Sequence, residues 1–407
     1  MARSSIGLDI GTRAVRLAEV RGGSAGPELI RFGRMLLPDG AVDHGEITDP
    51  LAVASTVMNL WRRLGLQGKA VHVGVANRRV IVRTIEVPMM SREDLASAIK
   101  FQAQDHIPIP LDQAVMDYEV LDEVQGAEGA PMQRVLVVAA ERVMIEPLLA
   151  AVRSANLELA SLELNAYPLV RCFGNGAQGA EAIVDIGAGV TNVVVHQGGK
   201  IQFTRILPSF GGDEFTSAVA EALNVDKAEA ETLKRRASRL LADRARQLVP
   251  VGATTNRGLP MAPSAQAPAA PTSMPQPAAP AFLATASGIE STEPTMVAPS
   301  DESPLEHLAR VIEPLMDRFV TEVRGSLDFY AGLAGVAPID RIVLTGGGAL
   351  LGGIAEELNA AVGVPVDLGH PFNRVPIGPI EVSAEERAVA EPFIGLAVGL
   401  AMAGMGA

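Results

Sequence analysis

The feature that most constrains the fold of this chain is a repeat. Ile183 to Lys200, IVDIGAGVTNVVVHQGGK, follows the spacing of the stretch that starts at Gly7, GLDIGTRAVRLAEVRGG. In both, an Asp-Ile-Gly triplet precedes a Gly-Gly pair, and Asp9 to Gly22 spans the same length as Asp185 to Gly198. Each unit reads as an apolar strand ending in Asp-x-Gly, a short polar tip, a returning β-branched strand and a glycine turn. At such a tip glycines let backbone N–H groups approach an anion, Thr12 or Thr191 adds a hydroxyl donor, and the Asp can hold a hydrated divalent cation. A lone Asp-x-Gly hairpin reads equally well as an Asx-type turn. The matched pair predicts two similar domains with a metal-nucleotide clamped between them.

Asp9-x-Gly11-Thr12-x-x-Val15-Arg16 resembles the phosphate 1 loop of the actin and heat-shock chaperone superfamily, and Asp185-x-Gly187-x-Gly189-Val190-Thr191 resembles its phosphate 2 loop. Ile342 to Ala349, IVLTGGGA, followed by Leu351 and Gly353, resembles the superfamily's adenosine motif, in which a buried strand ends in a glycine turn, here Gly346, Gly347 and Gly348. The fold implied is α/β, with duplicated actin-like (ribonuclease H-like) domains.

Composition narrows the partners. The chain has 407 residues, 48% of them hydrophobic and 20% charged, as expected of a globular protein. A net charge of -13 argues against nucleic-acid binding, which requires Lys and Arg to neutralise phosphates. The single cysteine, Cys172, excludes a disulfide within the chain and cysteine-cluster metal sites, and reads as a core thiol. No secretory signal is expected, because Met1 runs quickly into the strand carrying Asp9. Pro392 to Ala407 is uncharged but short and has no basic face, so it reads as a buried helix and not as a membrane anchor.

Taken in order, the chain predicts a helix over Pro50 to Leu64 and two strands around Asn77-Arg78 within Val71 to Val87. A capped helix opens at Ser91, and strands follow over Ala114 to Val120 and Arg134 to Ala140. The expected division is residues 1–33 as the start of actin-like domain 1, 34–140 as an inserted strand-helix-strand-strand (SHS2) module, 141–180 as the end of domain 1, and 181–407 as domain 2. Asp213 to Gln247 and Leu305 to Leu333 read as helical. From Pro250 to Pro304 the sequence holds eleven prolines, with no charge between Gly258 and Ile289, and such a tract is expected to be a disordered insertion.

Actin and the chaperones lack the inserted module, whereas the cell-division FtsA family and the type IV pilus PilM family carry one at this place. Ile85-Glu86-Val87-Pro88-Met89-Met90 before the helix, and Phe101 with His106-Ile107-Pro108-Ile109-Pro110 after it, resemble the PilM pattern.

This resemblance implies bound ATP with Mg²⁺. Asp9 and Asp185 would position the metal through water, and Gly11, Thr12, Gly187, Gly189 and Thr191 would line the phosphates. Gly346, Gly347 and Gly348 would line the nucleoside. Arg16 stands where many relatives have Lys; its fixed guanidinium fork either reaches phosphate indirectly or faces solvent from a strand. Glu231 and Lys234, one helical turn apart, either reach ribose and adenine or form a surface ion pair. On a helix expected over Leu162 to Ala166, Asn165 stands at the water-positioning station, with Glu163 as a second candidate. Asn is short and a poor base, so the chain is expected to be at most a weak ATPase.

The function implied is a cytoplasmic adaptor of the pilus inner-membrane platform, serving pilus biogenesis and twitching motility. Its expected partners are the N-terminal cytoplasmic tail of PilN and other platform proteins; it would meet the membrane only through them, and self-association stays open. The tail would sit near the helix from Ser91, although packing alone equally explains Leu95, Ile99 and Phe101. One rival reading is an FtsA-like filament that tethers division proteins, whose family usually ends in a basic amphipathic helix. The other is a metabolite kinase, for which no acceptor-site Asp or substrate loop is found.

Overall fold

The computed structural model describes residues 4–23, 26–126, 129–176, 179–248, 304–333, 335–380 and 382–405. The Pro/Ala-rich tract, up to position 303, lies outside the described residues.

The first hairpin is β1 (Ser4–Ile10) and β2 (Ala14–Gly23), extended by β3 (Gly26–Leu36). A short hairpin, β4 (Val42–Asp43) and β5 (Glu46–Ile47), precedes α1 (Pro50–Leu64) and β6 (Ala70–Val75). Then follow β7 (Val80–Pro88), α2 (Arg92–Gln104), β8 (Ala114–Gln125) and β9 (Pro131–Glu141), with α3 (Arg142–Ser154), β10 (Glu158–Leu164) and α4 (Ala166–Phe173) leading into the second half. That half holds β11 (Ala180–Ile186), β12 (Val190–Gln197), β13 (Lys200–Pro208), α5 (Gly212–Leu223), α6 (Lys227–Leu248) and α7 (Pro304–Ala331). It closes with β14 (Ile339–Thr345), α8 (Ile354–Val362), β15 (Val366–Leu368), α9 (Pro371–Arg374) and α10 (Ala384–Ala403).

Two five-stranded sheets have the same topology. The first runs β10-β6-β1-β2-β3 and the second β15-β14-β11-β12-β13. In each, three strands meander antiparallel and two more add in parallel on the other side of the leading strand. The duplication read from sequence is therefore a duplication of whole sheets, and the fold is actin-like.

Local chemistry explains where the elements begin and end. Asp49 accepts from Leu51 and Ala52 N–H groups at the start of α1, Pro50 presets the first turn, and Gly65 closes the helix at φ 61°. That helix buries Val53, Val57 and Leu60 in the first core, each contributing roughly 1.5–3 kcal/mol. Ser91 caps α2 through the Asp94 N–H, and Ser383 with Glu386 forms a capping box on α10. The stretch expected as one helix from Asp213 breaks at Asn224, which takes φ 51°, and restarts as α6 behind Asp226, whose carboxylate accepts from Ala228 and Glu229. Between the two sheets, α4 and α10 pack together in a shared core with Ile183, Val194 and Val343.

The region expected as the inserted module divides differently. α1 packs on the first sheet, and β6 lies between β1 and β10 in that sheet, with Val71 and Val73 fully buried. The separate antiparallel sheet, β7-β9-β8, together with α2, spans only Val80 to Glu141. Val71 to Val87 thus holds the two expected strands, β6 and β7, and crosses from one sheet to another between them. The crossing turns at the buried Asn77, whose side chain donates to Gly45 O and accepts from Arg79 N–H. Within the module the order is strand, helix, strand, strand. Leu95 and Ile99 pack under α2, but Phe101 is 74% exposed and takes no part in that core.

Candidate functional site: two facing hairpins

Strand register fixes the geometry. Asp9 ends β1 opposite Arg16, and Asp185 ends β11 opposite Asn192. Arg16 Nη1 donates to Asp9 at 2.7 Å, and Asn192 Nδ2 donates to Asp185 at 3.1 Å. The two tips meet across the interface between the sheets: a Cβ built on Gly189 would lie 2.7 Å from Thr12 Oγ1. Arg13, next to Thr12, donates to Asp213 in the first turn of α5 at 2.8 and 3.0 Å.

These tips line a cleft with Gly74, Asn165, Gly346, Gly347 and Phe393 among its walls. Asp185 is partly buried there, and its carboxyl is raised from the ordinary 3.8 to about 6. Desolvation is the main cause and the nearby Asp9 charge adds to it, with the Asn192 hydrogen bond and the Arg16 charge opposing. The site therefore holds an excess of negative charge that a cation would relieve.

The glycine turn after β14 brings backbone against Asp185. Gly346 takes φ 83°, and a Cβ there would lie 2.4 Å from Ile186 O and 2.7 Å from Asp185 Oδ1, so only glycine fits. Gly347 lies under the Phe393 ring, over which the Arg34 guanidinium stacks at 4.4 Å from the ring centroid. Gly348 packs against Ile186 behind the turn and is not a wall of the cleft.

Several expected site residues are placed elsewhere. Thr191 is fully buried on the far side of β12 and donates to Phe210 O at 2.6 Å, so its hydroxyl does not face the cleft. Side chains alternate along a strand, and it is Asn192 that points inward. By register the counterpart of Thr12 is Ala188. Glu231 and Lys234 do pair, at 2.6 Å, but not on the surface. Lys234 is buried, and it also donates to Gly212 O at 3.0 Å and Thr216 Oγ1 at 2.8 Å. Burial lowers the Lys234 ammonium even against Glu231. The Glu231 carboxylate, pushed up by burial, is pulled lower still by Lys234, Arg235 and Thr216. The pair clamps the loop into α5, and neither residue lines the cleft.

The stretch expected as a helix over Leu162 to Ala166 is the end of β10, parallel to β6. Glu163 is bound by Arg171 and by Ser161 Oγ and is not a cleft wall. Asn165 follows the strand at the N-cap of α4 and does reach the cleft. Its Oδ1 is buried without a hydrogen-bond partner, close to Gly74, where a Cβ would come within 2.3 Å of it. Arg16 lies in the cleft with its Nε also unpartnered, and does not face solvent. Cys172 is a buried thiol, pushed upward by desolvation.

The sequence reading missed Asn192, Gly74 and Phe393 as cleft residues. The signal for Asn192 was present: it stands at the same offset from Asp185 as Arg16 from Asp9. Phe393 comes from a segment without a motif.

These residues fit a metal-nucleotide. Two carboxylates lie near one another with one uncompensated, two buried polar atoms lack partners, and four glycines, Gly187, Gly189, Gly346 and Gly347, bare the backbone along one wall. Among the described residues no group of three or more His, Cys, Asp or Glu side chains forms a direct metal site, so a cation here would keep water in its coordination shell.

Comparison with known proteins decides the family. The family model described as type IV pilus assembly protein PilM matches residues 7–249. The chain belongs to the PilM family. Its second half also matches the model of the cell division protein FtsA, over residues 182–392. FtsA of Pseudomonas aeruginosa is 26% identical over 428 residues, covering 98% of this chain and 89% of that protein. FtsA of Streptococcus pneumoniae is 26% identical over 262 residues, where the match takes in 58% of this chain and only 56% of the relative's length. Among solved structures, a PilM-PilN type IV pilus biogenesis complex matches with a TM-score of 0.74 at 24% identity, covering 99% of both chains. That likeness extends the PilM fold across both sheets and the inserted module. No helix among the described residues is long and apolar enough to cross a membrane.

Proposed function

We propose that this PilM-family chain binds an adenine nucleotide with Mg²⁺ between its two hairpins. Loaded in this way, it would serve the pilus assembly platform as a cytoplasmic adaptor that binds the N-terminal tail of a PilN-type membrane protein. The observation that carries the nucleotide reading is the pair of facing tips, with Asp185 partly buried and hydrogen-bonded to a neutral amide instead of a cation. Asp9 and Asp185 would hold the hydrated cation, while Gly11, Thr12, Gly187 and Gly189 would offer donors to phosphate. Gly346 and Gly347 would leave room for the nucleoside, and Arg16, already bonded to Asp9, would offer its remaining donors to the phosphates. The metal, when bound, neutralises phosphate charge. Asn165, with its free Oδ1, is the residue placed to orient a water; as an amide it orients without taking a proton, so turnover is slow. The PilN reading rests on membership of the PilM family and on a fold shared with a chain solved in complex with PilN.

The test is calorimetry of Mg·ATP and of a PilN tail peptide on wild type and on Asp185→Ala. The reading expects wild type to bind both ligands and the variant to lose the nucleotide. Absence of peptide binding to ATP-loaded wild type would overturn the adaptor assignment and leave the fold and nucleotide site standing.

A second reading is favoured by the FtsA match, which covers the half containing Asp185 and the glycine turn: an FtsA-like filament former. Nucleotide-dependent polymers in sedimentation would favour it; a monomer at all concentrations in Mg·ATP would remove it.

A further inference from the structure

The β4–β5 hairpin has its tip in the cleft and its base somewhere else. Asp43 pairs with Glu46, which leaves His44 and Gly45 as a two-residue turn with φ of 45° and 80°. Two successive left-handed residues make a type I′ turn, favoured by Asn and Gly, and a histidine in the first place is held against its backbone preference. At the tip, His44 Nδ1 donates to Gly189 O at 3.0 Å. The carbonyl can only accept, so Nδ1 carries the proton. His44 Cα also lies 3.1 Å from where a Gly189 Cβ would be, on the same side as Thr12. Gly45 lines the cleft, packed so close to Ala76 O, 2.7 Å from a built Cβ, that no side chain fits.

At the base, Glu46 accepts from Arg78 Nε at 2.6 Å and from Arg79 Nε at 2.7 Å. Burial raises the Glu46 carboxyl, but the two guanidinium groups carry it below its ordinary range. Arg79 Nη1 continues to Glu141 at 2.6 Å, and Glu141 N–H donates to Arg79 O at 3.2 Å. Arg79 immediately precedes β7 and Glu141 ends β9, so these two residues are the neck through which the chain enters and leaves the inserted module. Asn77, fully buried, completes the link by donating to Gly45 O at 3.2 Å and accepting from Arg79 N–H at 2.9 Å.

We propose that this hairpin reads the state of the nucleotide site and transmits it to the module: His44 follows the Gly189 backbone at the phosphate tip, and Glu46, Arg79 and Glu141 carry its position to the neck. The inference rests on the nucleotide reading of the cleft. A phosphate held by the second hairpin draws on backbone around Gly189, the segment whose carbonyl holds His44. The lever is short and anchored at both ends by hydrogen bonds and ion pairs, with the hairpin backbone between them.

The test is hydrogen–deuterium exchange on the full chain, with no ligand, with Mg·ADP and with a non-hydrolysable Mg·ATP analogue. It is followed at 185–192 in the cleft and at 77–82 and 139–143 in the neck. Wild type should slow exchange in the cleft on nucleotide binding and change neck exchange at least three-fold between the ADP and ATP-analogue states. His44→Gly tolerates the left-handed backbone and removes the Nδ1 donor to Gly189 O; it should retain cleft protection while the neck difference disappears. Glu46→Gln should uncouple in the same way with the tip intact, and thermal melting shows that both variants fold. A neck response in both variants equal to wild type, or no neck response in wild type despite cleft protection, would overturn the lever. No nucleotide protection in the wild-type cleft would instead overturn the nucleotide reading itself, and the lever with it.

Discussion

The two hairpins share a register and differ in one partner. In the first, Asp9 faces Arg16 and its charge is met by a guanidinium at 2.7 Å. In the second, Asp185 faces Asn192, a neutral amide, at 3.1 Å, and burial raises its carboxyl to about 6. A duplicated scaffold has thus kept two carboxylates at equivalent places and compensated only one of them from within. The uncompensated one carries a desolvation cost that a bound cation would relieve, so on the proposed reading stability is traded for binding at a single position.

The sharpest way to break this comparison is to neutralise each carboxylate in turn. Asp185→Asn should abolish Mg·ATP binding while making the unliganded protein more stable near neutral pH, by an amount on the order of 3 kcal/mol. Asp9→Asn should also weaken binding, but it strips Arg16 of its partner and should lower the melting temperature. Thermal melts of both variants, with and without Mg·ATP, check the opposite signs. Equal effects on the unliganded protein would show that the asymmetry is not energetic.

The pH dependence follows from the same carboxyl. Its folded-state value lies above the ordinary one, so between about pH 4 and 6 the folded chain holds a proton that the unfolded chain has released. The contribution of Asp185 to stability is therefore greatest at the acidic end, falls as pH rises through this window and is lost above about 6. Nucleotide affinity should run the other way, weakening up to about ten-fold per unit as pH drops below about 6 and protons compete with the cation. Titrations of Mg·ATP from pH 5 to 8 would reveal the slope.

A smaller effect separates the two threonines. Thr12→Val should weaken nucleotide binding by several-fold with little change in stability, because its hydroxyl lies at the facing tips. Thr191→Val should leave affinity unchanged and destabilise by about 1–3 kcal/mol, because Phe210 O is left unpaired in a buried place. Calorimetry and chemical denaturation on both variants would show whether the roles have been exchanged. The smallest expected change is in Glu163→Gln, which should not alter whatever slow ATP turnover is measured, since Arg171 and Ser161 already occupy that carboxylate. A hundred-fold fall in turnover would return it to the site.

How far the sequence could be read follows the same division between spacing and packing. Strand, tip and strand leave a local pattern, so both hairpins, the glycine turn after β14 and the strand-helix-strand-strand order were legible. Thr191 was misjudged because matching by residue type overrode matching by offset, and an offset of one turns a side chain to the other face. Glu163 failed because Leu162 to Asn165 alternates as a strand beside β6, a pairing that is not visible locally. Lys234 read either as a nucleoside contact or as half of a surface pair; only the packing of α6 against Gly212 and Thr216 buries it. Phe393 reaches the cleft, and His44 the Gly189 carbonyl, through tertiary placement, so no spacing could have announced them. The boundary of the module was misplaced because β6 and β7 are adjacent in sequence yet belong to different sheets.

The central claim, that the facing hairpins form a metal-nucleotide clamp with its uncompensated charge on Asp185, is tested most directly by titrating ATP into the wild-type chain with and without Mg²⁺ and repeating the titration on Asp185→Asn. The account predicts saturable, Mg²⁺-dependent binding in wild type and none in the more thermally stable variant. Binding that persists in Asp185→Asn, or that ignores Mg²⁺, would contradict it.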